Sequence, residues 1–215
     1  MVEEILHGSY DVGKNTLLPY LLARGVRSLD YVMVSHFDFD HVGGFLYIMK
    51  EIKLKNILVA TVGQEESENY SKFIKIAREK RINVLKVEAG KRINIENKLF
   101  FDILWPFQDK TISENAINNN SIVCKLCYGE FKMLFTGDIE EEAERVLCGL
   151  YSTNAVLNST VLKVAHHGSK TSTIQDFLNF INPNIALIGV GKNNTFGHPG
   201  DEVIERLQNM RNTNL

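Results

Sequence analysis

The sequence predicts a mixed α/β fold, and three observations carry that reading. Short apolar runs alternate with longer stretches of helical spacing along the whole chain. The 215 residues are 44% hydrophobic, enough to bury a sizeable core and too apolar for a disordered chain. No repeat, linker or low-complexity tract interrupts the alternation, so 1–215 is expected to form a single domain.

The elements follow in order. Leu17 to Arg24 reads as a helix stopped by Gly25. Tyr31 to Ser35 is a short buried strand, Gly44 to Ile52 a helix and Ile57 to Ala60 a strand. Ser67 to Lys80 has helical spacing at Tyr70, Phe73, Ile74 and Ala77, and Tyr70, Phe73 and Tyr47 are expected in the core rather than as base-stacking platforms. Val84 to Val87, Arg92 to Ile95 and Leu99 to Trp105 are strands, and the polar stretch Gln108 to Asn120 reads as a loop. Ser121 to Cys127 and Phe131 to Phe135 form a hairpin across Tyr128-Gly129-Glu130. Ile139 to Leu147 is a helix whose Glu140-Glu141-Glu142 run is expected as a solvated first turn. Val161 to Ala165 is a strand, Ile174 to Phe180 a helix, Ile185 to Val190 a strand and Glu202 to Met210 a helix.

Composition excludes several classes. A net charge of −2 provides no global basic field, so any nucleic-acid contact must use a local patch. Three cysteines, Cys124, Cys127 and Cys148, make no disulfide framework and suit a reducing compartment. The Cys124–Cys127 spacing looks like a redox or metal pair, but an offset of three on a strand puts the side chains on opposite faces, which favours core packing. No segment approaches the roughly 20 apolar residues that span a bilayer, and the acidic start Met1-Val2-Glu3-Glu4 is not a secretory signal. As written, the chain is expected in the cytoplasm.

The polar residues collect at strand ends, where ligand groups gather in open α/β sheets. Tyr31 to Val34 runs into Ser35-His36-Phe37-Asp38-Phe39-Asp40-His41. Phe135 leads to Thr136-Gly137-Asp138, and Ala165 to His166-His167-Gly168-Ser169. Val190 leads to Gly191-Lys192-Asn193-Asn194 and then Gly197-His198-Pro199. Five of the six histidines lie in these loops, His7 being the exception. In an extended loop His36, Asp38 and Asp40 face one way while Phe37 and Phe39 pack beneath, and His41 turns in as a helix begins over Gly43-Gly44. Two imidazoles and two carboxylates so placed can bind a divalent metal.

Ser35-His-Phe-Asp-Phe-Asp-His-Val-Gly-Gly44 resembles the HxHxDH motif of the metallo-β-lactamase superfamily, with Asp38 in place of the second His. Together with Thr136-Gly-Asp138, His166-His-Gly-Ser169-Lys170-Thr-Ser172 and Asn193-Asn-Thr-Phe-Gly-His198-Pro199, it resembles the hydrolase domain of ComEC-type competence DNA-uptake proteins. The resemblance runs from about Asp11 to about Leu207. It implies an α/β fold of the metallo-β-lactamase-like αββα type with a two-metal site on one edge. By position, His36 and Asp38 would hold one ion, Asp40, His41 and His166 the other, and Asp138 would bridge them. Asp38 makes the site harder, favouring Mn²⁺ while Zn²⁺ stays open. The sequence departs from the family in having no His between His41 and His166, where another ligand to the first ion is usual. Asn119-Asn120-Ser121 stands there instead. The family's opening β-hairpin and final strands are missing, so the chain reads as clipped at both ends. The edge left unpaired is expected to favour aggregation or pairing as a homodimer.

The remaining roles follow from the same resemblance and from side-chain chemistry. Asp40 would orient the attacking water and His198 would protonate the leaving group. Ser169 and Lys170 suit a phosphate oxygen, and Asn120, Ser121 and His167 are further candidates for substrate contact. The implied function is a metal-dependent phosphodiesterase, a nuclease acting on DNA in competence and DNA uptake. Two alternatives stay open. One is a metallo-hydrolase of another ester or a lactam; the other is an inactive metal-binding fragment of a disrupted competence gene. In the family this domain is fused to a membrane channel, so a fragment of such a protein would be membrane-associated.

Overall fold

The computed structural model describes residues 10–151 and 153–212. His7 and the acidic start at Met1 to Glu4 lie outside the described residues. The chain divides into two compact units, Met1–Val87 and Glu88–Leu215.

In the first unit a π-helical turn, Gly13–Leu17, runs into α1, Leu18–Ala23. The strands β1 (Ser28–Met33), β2 (Lys53–Ala60) and β3 (Asn83–Val87) form a parallel sheet in that order. Parallel neighbours require crossovers, and two helices supply them. These are α2 (Phe39–Glu51) and α3 (Glu68–Glu79). Val32, Val34, Phe37, Val42, Met49, Ile57, Val59, Phe73 and Ala77 form the core of this unit, with Tyr70 packed against it. Phe73 and Ala77 thus behave as their helical spacing requires.

The second unit holds a six-stranded sheet whose strands lie in sequence order. Strands β4 (Arg92–Glu96), β5 (Leu99–Trp105), β6 (Val123–Tyr128) and β7 (Phe131–Phe135) form an antiparallel meander. Strands β8 (Val161–Lys163) and β9 (Ile185–Leu187) then add in parallel to β7. The helices are α4 (Ala116–Asn119), α5 (Glu141–Leu150), α6 (Asn154–Leu157), α7 (Gln175–Ile181) and α8 (Asp201–Asn212). Trp105, Leu134, Ile139, Leu147, Leu162, Phe177, Leu178 and Ile181 are among the residues of its core.

The change of direction at β7 positions the chemistry. Because β7, β8 and β9 run parallel, the loops at their C-terminal ends emerge side by side. Those loops are the ones that carry Asp138, His166-His167 and Gly189.

Four expectations are corrected. Helix α2 starts at Phe39, five residues before Gly44, because Asp38 takes the extended N-cap conformation and the glycines fall inside the helix. Gly13 explains why they can. A Cβ there would lie 2.2 Å from the Gly44 carbonyl oxygen, so the opening turn and α2 meet backbone to backbone. Phe39 is consequently exposed on the first turn of the helix rather than packed beneath the loop, whereas Phe37 is fully buried. The stretch read as a loop, 108–120, contains α4, and Asn119 and Asn120 are buried at its end. Glu140 is not part of a solvated turn, since only 12% of its side chain is exposed, while Glu141 and Glu142 are. Cys124 and Cys127 are both buried and free, and burial pushes the Cys124 thiol up to about 12, consistent with packing rather than reactivity.

Candidate functional site

The first unit gathers four of the expected ligands. The loop after β1 is pinned at Phe37 from both peptide sides. Its N–H donates to Gln64 Oε1 at 3.1 Å, and its carbonyl accepts from the Ser67 hydroxyl and the Asn69 amide, each at 3.0 Å. Ser67 is the N-cap residue of α3, yet it spends its hydroxyl on this loop rather than on its own helix. The Phe37 ring meets Tyr70 and Phe73 edge-on, with centroids 5.0 and 5.4 Å away. This anchoring buries the neighbouring His36 completely. The His36 ring lies 4.0 Å from that of His41. Asp38 Oδ2 is 3.9 Å from His36 Nε2, and Asp40 Oδ2 is 3.6 Å from His41 Nε2. Both carboxylates are about half exposed, so the cluster opens outward. Asp40 and His41 also line a cleft with Tyr10, Val12 and Phe39.

In the second unit the centre is Asp138, whose side chain is 4% exposed. Its loop is held by the turn at 119–121. The Asp138 N–H donates to the Ser121 hydroxyl at 3.2 Å and the Glu140 N–H to Asn119 Oδ1 at 2.9 Å. Asn120 closes that turn on itself through the Ile112 N–H, the Ile112 carbonyl and the Ala116 carbonyl. Asn120 and Ser121 are fully buried, so the structure gives them the support of Asp138 and does not bring them to a surface where substrate could reach them.

His166 and His167 follow β8 in a short 3₁₀ turn, and both take left-handed backbone angles, φ 45° and 53°. Gly168 continues the turn at φ +79°, where a Cβ would lie 2.7 Å from Pro199 Cβ. Only glycine permits both the angle and that approach. The two imidazoles then diverge. His167 Nδ1–H donates to the Gly189 carbonyl at 2.6 Å, and its Nε2 lies 3.2 Å from Asp138 Oδ2. His166 Nδ1 lies 3.2 Å from Glu140 Oε1. Glu140 also accepts from the Thr171 hydroxyl at 2.9 Å and from the Asn115 amide at 2.7 Å. Metal-binding histidines characteristically engage one ring nitrogen with a carbonyl or carboxylate, which leaves the other as the ligand atom. His167 is arranged in that way, and the Glu140 carboxylate lies beside His166 Nδ1, so the donor set of this unit fits a divalent ion.

The remaining candidates spread around this centre. The His198 ring lies 5.8 Å from that of His166 and stacks on Phe196, and the Asn194 side chain brackets its backbone N–H and carbonyl. Desolvation, helped by the neighbouring His166 and His167, lowers the His198 pKa from its ordinary value. Ser169 is buried and bonds Thr171, whereas Lys170 is exposed.

Three functional-looking residues escape sequence reasoning. Glu140 sits inside a run of three glutamates, where nothing distinguishes it from its neighbours. Glu144 is fully buried and accepts the Thr173 and Ile174 N–H groups at 2.6 and 2.8 Å, which fixes the chain that leaves the His166-His167 turn. Lys163, on β8, places its Nζ 3.6 Å from Asp138 Oδ1. A lone charge on the helical face of Ala143 and Leu147, or in an apolar strand, was the one sequence clue to Glu144 and Lys163.

The sequence profile of the metallo-beta-lactamase superfamily matches residues 5–192. The chain is similar to ComE operon protein 3 of Bacillus subtilis, 32% identical over 199 residues, which cover 93% of this chain and 25% of that protein. Competence protein ComA of Neisseria gonorrhoeae is 33% identical over 201 residues, 94% of this chain and 26% of that protein. Recombination protein 2 of Haemophilus influenzae is 32% identical over 196 residues, 91% and 22% respectively. The chain therefore spans about a quarter of the length of these relatives. Among solved structures, the CmlA beta-hydroxylase E377D mutant shares the fold at a TM-score of 0.56 and 10% identity, covering 87% of this chain and 42% of that one. With two sheets and helices, strand-end loops rich in Asp and His, and a profile match along most of its length, the chain belongs to the metallo-β-lactamase superfamily.

Proposed function

We propose that this chain is a divalent-metal-dependent phosphodiesterase that cleaves DNA in a competence or DNA-uptake setting. The observation that carries the reading is the anchored pair at Asp138. His167 has its Nδ1 committed to Gly189 and its Nε2 turned to the carboxylate. The ligands we assign are His36, Asp38, Asp40 and His41 in the first unit, and Asp138, His166 and His167 in the second. Asp38 in place of a second histidine makes the first cluster harder than the usual one, which favours Mn²⁺ over softer choices, with Zn²⁺ as the competitor. Such an ion supplies Lewis acidity, lowering the pKa of water and taking up charge on phosphate oxygens.

The chain's own residues do the rest. Asp40, half exposed on the first turn of α2, orients the attacking water. His198 gives its proton to the leaving oxygen, and its lowered pKa makes the protonated ring a stronger acid. Lys170, exposed beside the His166-His167 turn, binds a phosphate oxygen. The relatives named as competence proteins support DNA as the substrate. Among the described residues no helix is long and apolar enough to cross a membrane.

The test is cleavage of end-labelled DNA by chelator-treated protein resupplied with Mn²⁺, Zn²⁺ or Mg²⁺. Mn²⁺ should stimulate more than Mg²⁺, and Asp40→Asn should lower turnover by at least ~10²-fold. Equal turnover of variant and parent would overturn the role of Asp40. Hydrolysis of a small bis-phosphate ester without cleavage of DNA would replace the substrate assignment.

A further inference from the structure

Lys163 is the charged group at Asp138 that the reading above leaves unused. Its backbone is fixed inside the sheet, paired with Phe135 of β7 on one side and Leu187 of β9 on the other. Its carbonyl accepts from the Thr136 hydroxyl at 2.6 Å. The side chain reaches the end of β7, where Nζ donates to the Gly137 carbonyl at 3.2 Å and lies 3.6 Å from Asp138 Oδ1. The ammonium is mostly shielded, with 23% of the side chain exposed, and it meets a carboxylate exposed by 4%. The two oxygens of Asp138 are thus divided. Oδ2 faces His167 Nε2 and Oδ1 faces the ammonium.

A carboxylate bridges two ions only when each oxygen is free to meet one of them. We infer that Lys163 Nζ stands in for a second metal ion at Asp138, so that Asp138 and His167 serve one divalent ion and the ammonium neutralises the other oxygen. A divalent ion placed beside a shielded ammonium is repelled by it, and little water is present to screen the pair. The tether makes this cation permanent, whereas an ion must be recruited from solution. The absence of a histidine between His41 and His166 is consistent with a missing second ion. The inference rests on the metal-binding reading above and goes beyond it in the number of ions and in the role of Lys163.

The experiment counts ions. The full 215-residue chain, stripped with chelator and dialysed against Mn²⁺, is analysed for metal content and by electron paramagnetic resonance. The parent is expected to show the six-line spectrum of uncoupled ions, whether or not the His36–His41 cluster holds an ion of its own. Lys163→Met, which keeps the apolar stem and removes the charge, should take up one equivalent more than the parent and show a coupled spectrum. Lys163→Arg should match the parent. A coupled spectrum in the parent, or equal equivalents in the parent and Lys163→Met, overturns the inference while leaving the metal reading intact. No uptake by the parent overturns both. If Lys163→Met fails to fold, the spectrum of the parent decides alone.

Discussion

His166 and His167 hold backbone angles that non-glycine residues rarely adopt, and each such residue costs about 1–3 kcal/mol and persists only where its surroundings impose it. Here they do. The His166 N–H donates to the Gly137 carbonyl at 3.3 Å, the Ser172 hydroxyl to the Ala165 carbonyl at 3.1 Å, and the Gly200 N–H to the Gly168 carbonyl at 2.8 Å. Gly168→Ala should destabilise the chain by roughly 2 kcal/mol or more, since it adds backbone strain to a Cβ contact with Pro199. Urea unfolding measures it, and an unchanged midpoint would contradict the turn as described. Glu140 acts on the same turn from the side. Its removal takes the neighbouring carboxylate away from His166 Nδ1, so Glu140→Ala should weaken divalent-ion affinity by ~10–100-fold while the chain stays folded. Equilibrium dialysis with paired thermal melts tests this, and undiminished affinity would show that His166 needs no such support.

At the scale of elements, the geometry follows from three parallel strands and the helices that return the chain between them. Helix α5 leads from β7 towards β8, and α7 from β8 to β9, so the loops bearing Asp138, His166-His167 and Gly189 open at one end of the sheet. Glu144 of α5 couples these returns by accepting the first N–H groups at the entry to α7. Arg206 of α8 completes the clamp on the Ser172 and Thr173 carbonyls, at 3.0 and 2.9 Å. Desolvation, opposed by the two N–H donors and by Arg206, raises the Glu144 pKa from 4.5 to about 7. The folded chain therefore holds a proton that the unfolded chain has lost between those values. The associated stability is complete below about pH 4.5 and is lost as the pH rises through about 7, up to roughly 3 kcal/mol. Unfolding at pH 5, 6, 7 and 8 should show the parent's stability falling relative to Glu144→Gln, which has no proton to lose. A difference constant across that range would mean that Glu144 is ionised throughout.

At the scale of the molecule, each unit has its own sheet and its own core, and each carries ligand-type side chains in the loops after its strands. The family profile runs through both. A ligand that binds only the folded chain stabilises it by mass action, about 2.7 kcal/mol at a hundredfold excess over Kd. Mn²⁺ should accordingly raise the melting temperature of the chelator-treated chain, and excess chelator should reverse the gain. A melting temperature indifferent to Mn²⁺ and to Zn²⁺ would count against metal binding in either unit. Both sheets also end in edge strands among the described residues, β1 and β3 in one, β4 and β9 in the other. Tyr31 on β1 and Ile185 and Leu187 on β9 are exposed there. Sedimentation should show self-association that rises with concentration, and a monodisperse monomer would show these edges to be harmless.

What the sequence determined by itself was whatever depends on neighbours along the chain. The alternation of apolar and amphipathic stretches located the nine strands found among the described residues and the longer helices, because burial on one face imposes a period that survives in the sequence. The motifs at Ser35–Gly44, Thr136–Asp138 and His166–Ser172 carried the family, since their residues are adjacent in the chain. Tertiary structure decided the rest. Asn120 was legible as a polar loop residue, but only packing shows its amide enclosed by Ile112 and Ala116. Glu140 and Glu142 look alike in sequence, and the approach of His166 and Thr171 separates them. His166 and His167 are neighbours whose partners, Glu140 and Asp138, follow from a left-handed turn that no periodicity encodes. Lys163 reached Asp138 because parallel pairing of β7 and β8 sets the two loops side by side. That is a pairing across 25 residues of sequence, fixed by strand register rather than by any local signal.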